Sequence, residues 1–181
     1  MTARVALTYQ DYVALPDDGK RYEIHDGELC VMTAPTSDHQ IVSANLFMIL
    51  AAHVRAHNLG LVLYAPLDVI LAATAIVQPD LVYLDPDRLP ALQRRGVEGP
   101  PTLAIEVLSP PTGTIDRTTK RDLYARYGVP YLWLVDPKAR VIESHVLRVG
   151  HYDLTVRASG TRPVDLPPFT GLGLVPSSLW P

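Results

Sequence analysis

The chain has 181 residues, 48% of them hydrophobic and 19% charged, with a formal net charge of -3 at pH 7. This length and composition exclude a low-complexity or disordered polypeptide and fit one globular domain over residues 1–181. The negative balance excludes attraction to nucleic acid by overall charge, so any such contact needs a local basic patch.

Thr8 is placed to cap a short peripheral helix over Tyr9 to Leu15, ended by Pro16 and the polar turn Asp17-Asp18-Gly19. Two strand-like runs, Tyr22 to His25 and Glu28 to Thr33, flank Asp26-Gly27. An Asp-Gly pair in that position predicts a tight hairpin, because both turn residues need positive φ. Cys30 lies in the second run and is the chain's single cysteine. No intramolecular disulfide is then possible, a reducing cytoplasm suits the sequence, and a small buried side chain is the expected role.

Ser37 and Gln40 have capping-box spacing, and helix formers continue to about His57 before Asn58 and Gly60. The apolar residues Ile41, Val42, Leu46, Phe47, Met48, Ile49, Leu50 and Val54 go nearly all round this helix. That pattern predicts cover on more than one side, from the rest of the chain or from a second subunit, and a homodimer is expected. No apolar stretch approaches the roughly 20 residues needed to span a bilayer, and no basic start precedes an apolar run, so a soluble cytoplasmic protein is expected.

Leu61 to Tyr64 and Leu67 to Leu71 read as one strand bent at Pro66, and Asp80 to Leu84 as another entered through Pro79. Arg88 to Pro101 is polar and reads as a loop with one helical turn. Thr102 to Leu108 is apolar except for Glu106, the pattern of a strand buried on both faces. Ser109-Pro110-Pro111-Thr112-Gly113 excludes helix and sheet, and a helix follows over Asp116 to Tyr127, stopped by Gly128. Tyr131 to Val135, Val141 to Leu147 and Tyr152 to Val156 are further strands, and Leu172 to Val175 is extended within a proline-rich tail. The order predicts an α/β fold with a mixed β-sheet flanked by helices, an added N-terminal hairpin and C-terminal antiparallel strands.

Three charges do not fit ordinary surface positions. On a helix from Asp116, residues 116, 120, 123, 124 and 127 share one stripe, so Lys120 points inward with Leu123 and Tyr124. A buried ammonium needs carboxylates, and Asp116, Glu106 and Asp80 are the candidates. Asp80 and Glu106 interrupt apolar strands, and two converging carboxylates repel unless a cation sits between them. Hard oxygen donors of this kind suit Mg2+ or Mn2+.

Pro79-Asp80, then Glu106, then a lysine close behind resembles the PD-(D/E)XK nuclease superfamily. More narrowly, Tyr22-Glu23, Asp26-Gly27-Glu28-Leu29, His39, Gln78-Pro79-Asp80-Leu81, Glu106-Val107-Leu108-Ser109-Pro110, Asp116, Lys120, Tyr124, Gly128-Val129 and Trp133-Leu134-Val135-Asp136-Pro137 resemble the Uma-two family of restriction-endonuclease-like proteins. The resemblance spans about residues 8 to 175 and implies a restriction-endonuclease-like fold that hydrolyses DNA phosphodiester bonds. It implies metal binding by Asp80, Glu106 and the backbone carbonyl of Val107, with Lys120 assisting the attacking water.

Leu108 stands two residues after Glu106, where the superfamily pattern has its lysine, so the lysine role moves to Lys120 on the next helix. Glu28 is expected to add a direct or supporting ligand, and Asp116 to hold Lys120 by an i, i+4 pair. His39 is placed to contact a phosphate, to orient a site acid, or only to bond at its helix start. His53 and His57 have the spacing of a zinc pair but lack a third ligand nearby, and are expected to be polar positions near a helix end. Arg94, Arg95, Arg117, Arg121 and Arg126 are either a solvated face or the local patch for a nucleic-acid backbone. A catalytically weak or inactive nuclease-fold module that acts by binding DNA or protein is the alternative to the enzyme.

Overall fold

A computed structural model of the protein describes residues 5–109 and 113–181, and two six-stranded mixed sheets organise them. A short helix α1 (Tyr9–Val13) precedes the hairpin β1 (Arg21–His25) and β2 (Glu28–Met32). Asp26 and Gly27 have φ of 50° and 85°, the positive values expected for the tight turn. α1 stops short of Leu15, and Thr8 starts it by donating to the Asp11 carboxylate at 2.8 Å.

The long helix α2 (Ser37–Ala56) begins one residue earlier than the capping-box spacing suggests, because Thr36, not Ser37, is its cap. Thr36 Oγ1 accepts from the His39 N–H at 3.3 Å. Val42, Leu46, Leu50 and Val54 form the buried stripe, whereas Ile41 and Met48 are exposed. Within one chain, then, α2 is covered on one face and not all round.

β3 (Leu61–Tyr64) and β4 (Val69–Ala72) are not one bent strand, since β3 pairs with β6 (Leu81–Leu84) in one sheet and β4 lies in the other. Pro66 has no N–H to continue a ladder, and the chain changes sheets there. β4 turns back into β5 (Ala75–Val77). The presumed loop 88–101 carries the expected single turn, a 3-10 turn at Leu89–Ala91, and also a small hairpin of β7 (Leu92–Gln93) and β8 (Gly96–Glu98).

β9 (Leu103–Val107) runs antiparallel to β6 and parallel to β10 (Tyr131–Asp136), and β11 (Val141–Arg148) and β12 (His151–Ala158) extend this sheet as the expected meander. Its order is β12-β11-β10-β9-β6-β3, and the other sheet is β2-β1-β5-β4-β8-β7. Of the predicted turn 109–113, Pro110 to Thr112 lie outside the described residues. The helix after it starts at Gly113, three residues earlier than expected, as α3 (Gly113–Ile115), a π-helical turn (Asp116–Lys120) and α4 (Arg121–Arg126).

Alternation along the central strands explains why they read as continuous apolar runs. Leu81, Tyr83, Leu103, Ile105, Val107, Trp133 and Val135 pack with the α2 stripe and with Phe169 and Leu174 of the tail. Val82, Leu84, Ala104, Leu132 and Leu134 face the other way, onto Leu123 and Tyr124 of α4 and onto Val69 and Val77 of the other sheet. Leu174 pairs with Val164 in an isolated bridge. Among the described residues no helix is long and apolar enough to cross a membrane.

Candidate active site

The β6–β9 ladder sets the first two acids. Leu81 pairs with Ile105 and Val82 with Ala104. One step further the register puts Asp80 opposite Glu106, on the face that looks toward α4. The Val107 N–H donates to Asp80 Oδ2 at 2.7 Å, and His39 Nε2 lies 3.1 Å from the same oxygen. Oδ1 is therefore uncommitted among the described residues. His39 reaches Asp80 from the first turn of α2, so of its three expected roles it fills that of orienting a site acid.

The π-helical turn delivers Lys120, which is 1% exposed. Its Nζ lies 2.7 Å from Glu106 Oε1, 3.3 Å from Glu23 Oε1 and 3.8 Å from Asp116 Oδ1. Burial alone would push the lysine down, but the Glu106, Glu23 and Asp116 carboxylates reverse this and hold it firmly charged. Tyr124 donates its hydroxyl to Glu106 Oε1 at 2.6 Å, leaving Oε2 uncommitted among the described residues. The Glu106 carboxyl is raised well above the usual carboxylate range. Burial is the main cause, opposed by Lys120 and reinforced by Asp116, Asp80 and Glu23.

Glu23, and not Glu28, is the hairpin's contribution. Neither glutamate lines the cavity at the site, but Glu28 is exposed at the turn end of the edge strand β2 whereas Glu23 reaches Lys120. Glu23 is fully buried on β1, accepting from the Gln78 N–H at 3.0 Å through Oε1, with His25 Nε2 2.7 Å from Oε2. Burial pushes this carboxyl up, yet Lys120 and His25 more than offset that and hold it at about 2. His25 is pushed down by burial but raised more by its bonds to Cys30 and Glu23, to about 9. Cys30 Sγ lies 3.3 Å from His25 Nδ1, so the thiol is polar-bonded and only partly covered, unlike the buried apolar role expected of it.

Asp80, Glu106, Val107, His39, Asp116 and Lys120 all line one cavity of about 30 Å³, enough for a cation or an ordered water. All its acidic donors are carboxylate oxygens, Asp80 Oδ1 and Glu106 Oε2 are uncommitted, and the acids outnumber the ammonium. The chemistry therefore fits a hard divalent cation. Among the described residues, however, no three His, Cys, Asp or Glu side chains are already gathered as a ready-made ligand set.

The model of the Uma2 family, described as "Putative restriction endonuclease", matches residues 9–177. The chain belongs to the Uma2 family. A solved structure described as "a putative nuclease belonging to DUF820", from Anabaena variabilis ATCC 29413, shares this fold. Its TM-score is 0.74 at 17% identity, over 96% of this chain and 97% of that one. No curated protein matches the chain in sequence.

Outside the cavity several other candidate residues of this Uma2 chain have partners within it. Arg117 pairs with Glu143 at 2.7 Å and Asp136 at 3.3 Å, Arg121 donates to the Tyr152 carbonyl, and Arg126 pairs with Asp26. Arg95 pairs with Glu98. The His53 and His57 rings lie tilted by 39° with centroids 4.5 Å apart, and His57 Nδ1 lies 2.9 Å from the His53 carbonyl, as expected near a helix end.

Proposed function

We propose that this Uma2 chain is a divalent-metal-dependent endonuclease that hydrolyses DNA phosphodiester bonds, with its lysine supplied by Lys120 on the helix. One observation carries the reading. A fully buried ammonium is held among three carboxylates beside Asp80, in the cavity that Asp80 and Glu106 line together. A structural ion pair needs no such surplus of acids, and perturbed groups gathered in one cleft mark functional sites.

Asp80, Glu106 and the carbonyl of Val107 are the groups that would hold Mg2+ or Mn2+, whose chemistry is to polarise a phosphate and to lower the pKa of a bound water. The chain's own residues do the rest. Val107 N–H and His39 fix the Asp80 carboxylate, and Tyr124 fixes that of Glu106. Lys120 would orient a water and stabilise negative charge developing on the phosphate. Glu23, locked to Gln78 and His25, keeps the ammonium where it is.

The test is cleavage of plasmid and of single-stranded DNA with Mg2+, with Mn2+ and with EDTA. Wild type should cut only with metal, and Asp80→Ala should not cut. If the two proteins behave alike in every condition, the enzyme reading is lost. A second reading, a nuclease-fold module that only binds, is favoured by two observations: Lys120 already pairs with Glu106, and no ready-made ligand set is gathered among the described residues. Calorimetric titration with Mn2+ separates the two, since heat of binding that Asp80→Ala removes supports the enzyme.

A further inference from the structure

A second pocket, of about 560 Å³, opens directly beside the cavity and shares Arg21, His39 and Asp80 with it. Its far wall is apolar: Phe47 and Met48 from α2, and Tyr64 from the end of β3. Tyr64 and Met48 are 63% and 60% exposed. The Phe47 and Tyr64 rings meet edge-to-face with centroids 4.8 Å apart, a packed geometry that fixes the exposed Tyr64 ring in place. Single exposed apolar residues need no explanation, but these surround a concavity of ligand-binding size whose other end is the candidate site.

The shape selects the ligand's chemistry. It must be flat and apolar at one end, to lie against Tyr64, Phe47 and Met48, and anionic at the other, where Arg21 is the cation common to both cavities. A nucleobase joined through its sugar to a phosphate meets both demands, and base stacking on aromatic side chains tolerates any sequence. A base inside a duplex cannot enter, because both its faces are stacked.

We propose that this pocket binds an unpaired nucleobase next to the phosphate presented to Asp80, so that single-stranded or locally unpaired nucleic acid is preferred over intact duplex. The proposal rests on the nuclease reading above for the placement of the phosphate. Its experiment is therefore a binding measurement that needs no cleavage. Single-stranded and duplex oligonucleotides of one sequence, each carrying the fluorescent base 2-aminopurine, are titrated with Asp80→Asn in EDTA, which removes both cutting and one repelling charge. The same titrations are run on Asp80→Asn combined with Tyr64→Ala.

The expected result is quenched fluorescence on the single strand, with about tenfold weaker single-strand binding on removing Tyr64 and unchanged duplex binding. Equal affinity for both strands that Tyr64→Ala leaves unaltered overturns the proposal. So does a homodimer, seen by light scattering, that Tyr64→Ala dissociates without touching oligonucleotide binding, because the pocket then faces a second copy of the chain. Metal-dependent cleavage of duplex plasmid without a single-strand preference sinks this inference and leaves the nuclease reading intact. Stacking without any cleavage does the reverse.

Discussion

Lys120 Nζ lies 2.7 Å from Glu106 Oε1, joining the helix after β9 to the middle of the central sheet through one buried ion pair. The same ammonium also answers Glu23 from the other sheet, at 3.3 Å. Replacing it with an apolar side chain leaves buried carboxylates without their cation. Lys120→Met should therefore cost about 3–5 kcal/mol, read from urea unfolding. Adding Glu106→Gln should recover part of that loss, because a neutral amide tolerates burial better than an unpaired carboxylate. If Lys120→Met unfolds at the wild-type midpoint, the lysine is not the keystone of this cluster.

Glu23 and His25 form a second buried pair, 2.7 Å apart, whose contribution depends on pH in a definite direction. His25 is raised from 6.5 to about 9, so its stabilisation is complete below 6.5 and is lost as pH rises through about 9. Glu23 is lowered from 4.5 to about 2, so its stabilisation is complete above 4.5 and is lost as pH falls toward about 2. Both are fully present only between 4.5 and 6.5. There His25→Ala should lower stability by on the order of 2 kcal/mol, and the difference from wild type should shrink toward pH 9. A difference that stays flat from pH 5 to about 10 would count against the charged pair.

The turn between α2 and β3 depends on a residue without a side chain. Gly60 has φ of 121°, and a Cβ there would lie 2.1 Å from the Leu84 carbonyl oxygen of the paired strand. Both the backbone conformation and the contact oppose any other residue. Gly60→Ala should cost about 3 kcal/mol, measured by urea unfolding, since neither β3 nor Leu84 can move without breaking the ladder. Gly19→Ala is the control: its φ is also positive at 76° but nothing lies within 4 Å of the built Cβ, so a smaller loss is expected.

Why the sequence shows some of this and hides the rest follows from where each signal resides. Asp80, Glu106 and Lys120 stand out because each breaks an apolar pattern with a period of its own, two on strands and one on a helix. Glu23 and Glu28 cannot be ranked that way, because both flank the same turn and both fall on the same face of the hairpin. What buries Glu23 is that β1 is flanked by β5 while β2 is the edge strand, a fact of sheet order that no local pattern carries. Pro66 shows in sequence that a ladder stops, but not that the chain then crosses to the other sheet. β5, β7 and β8 have two or three residues each, too few for alternation to register. The π-helical turn leaves Asp116 and Lys120 on one stripe, so an ordinary helical reading placed them together without detecting it.

His39 bonds the Asp80 carboxylate, and the role proposed for it is to position that acid. Its Nε2 is 3.1 Å from Asp80 Oδ2, and the oxygen keeps the Val107 N–H at 2.7 Å when the ring is removed. The carboxylate should therefore stay in place but turn more freely. His39→Ala is expected to lower Mn2+ affinity and cleavage by about 10- to 100-fold, the usual cost of losing a residue that orients a metal-binding group. His39→Gln keeps an N–H donor and should recover part of both. The N-terminal turn of α2 keeps its cap, because Thr36 bonds the backbone N–H of residue 39 and not its ring. Loss of stability in His39→Ala with unchanged metal affinity would reduce the histidine to a packing role; loss of affinity with rescue by glutamine would establish the positioning one.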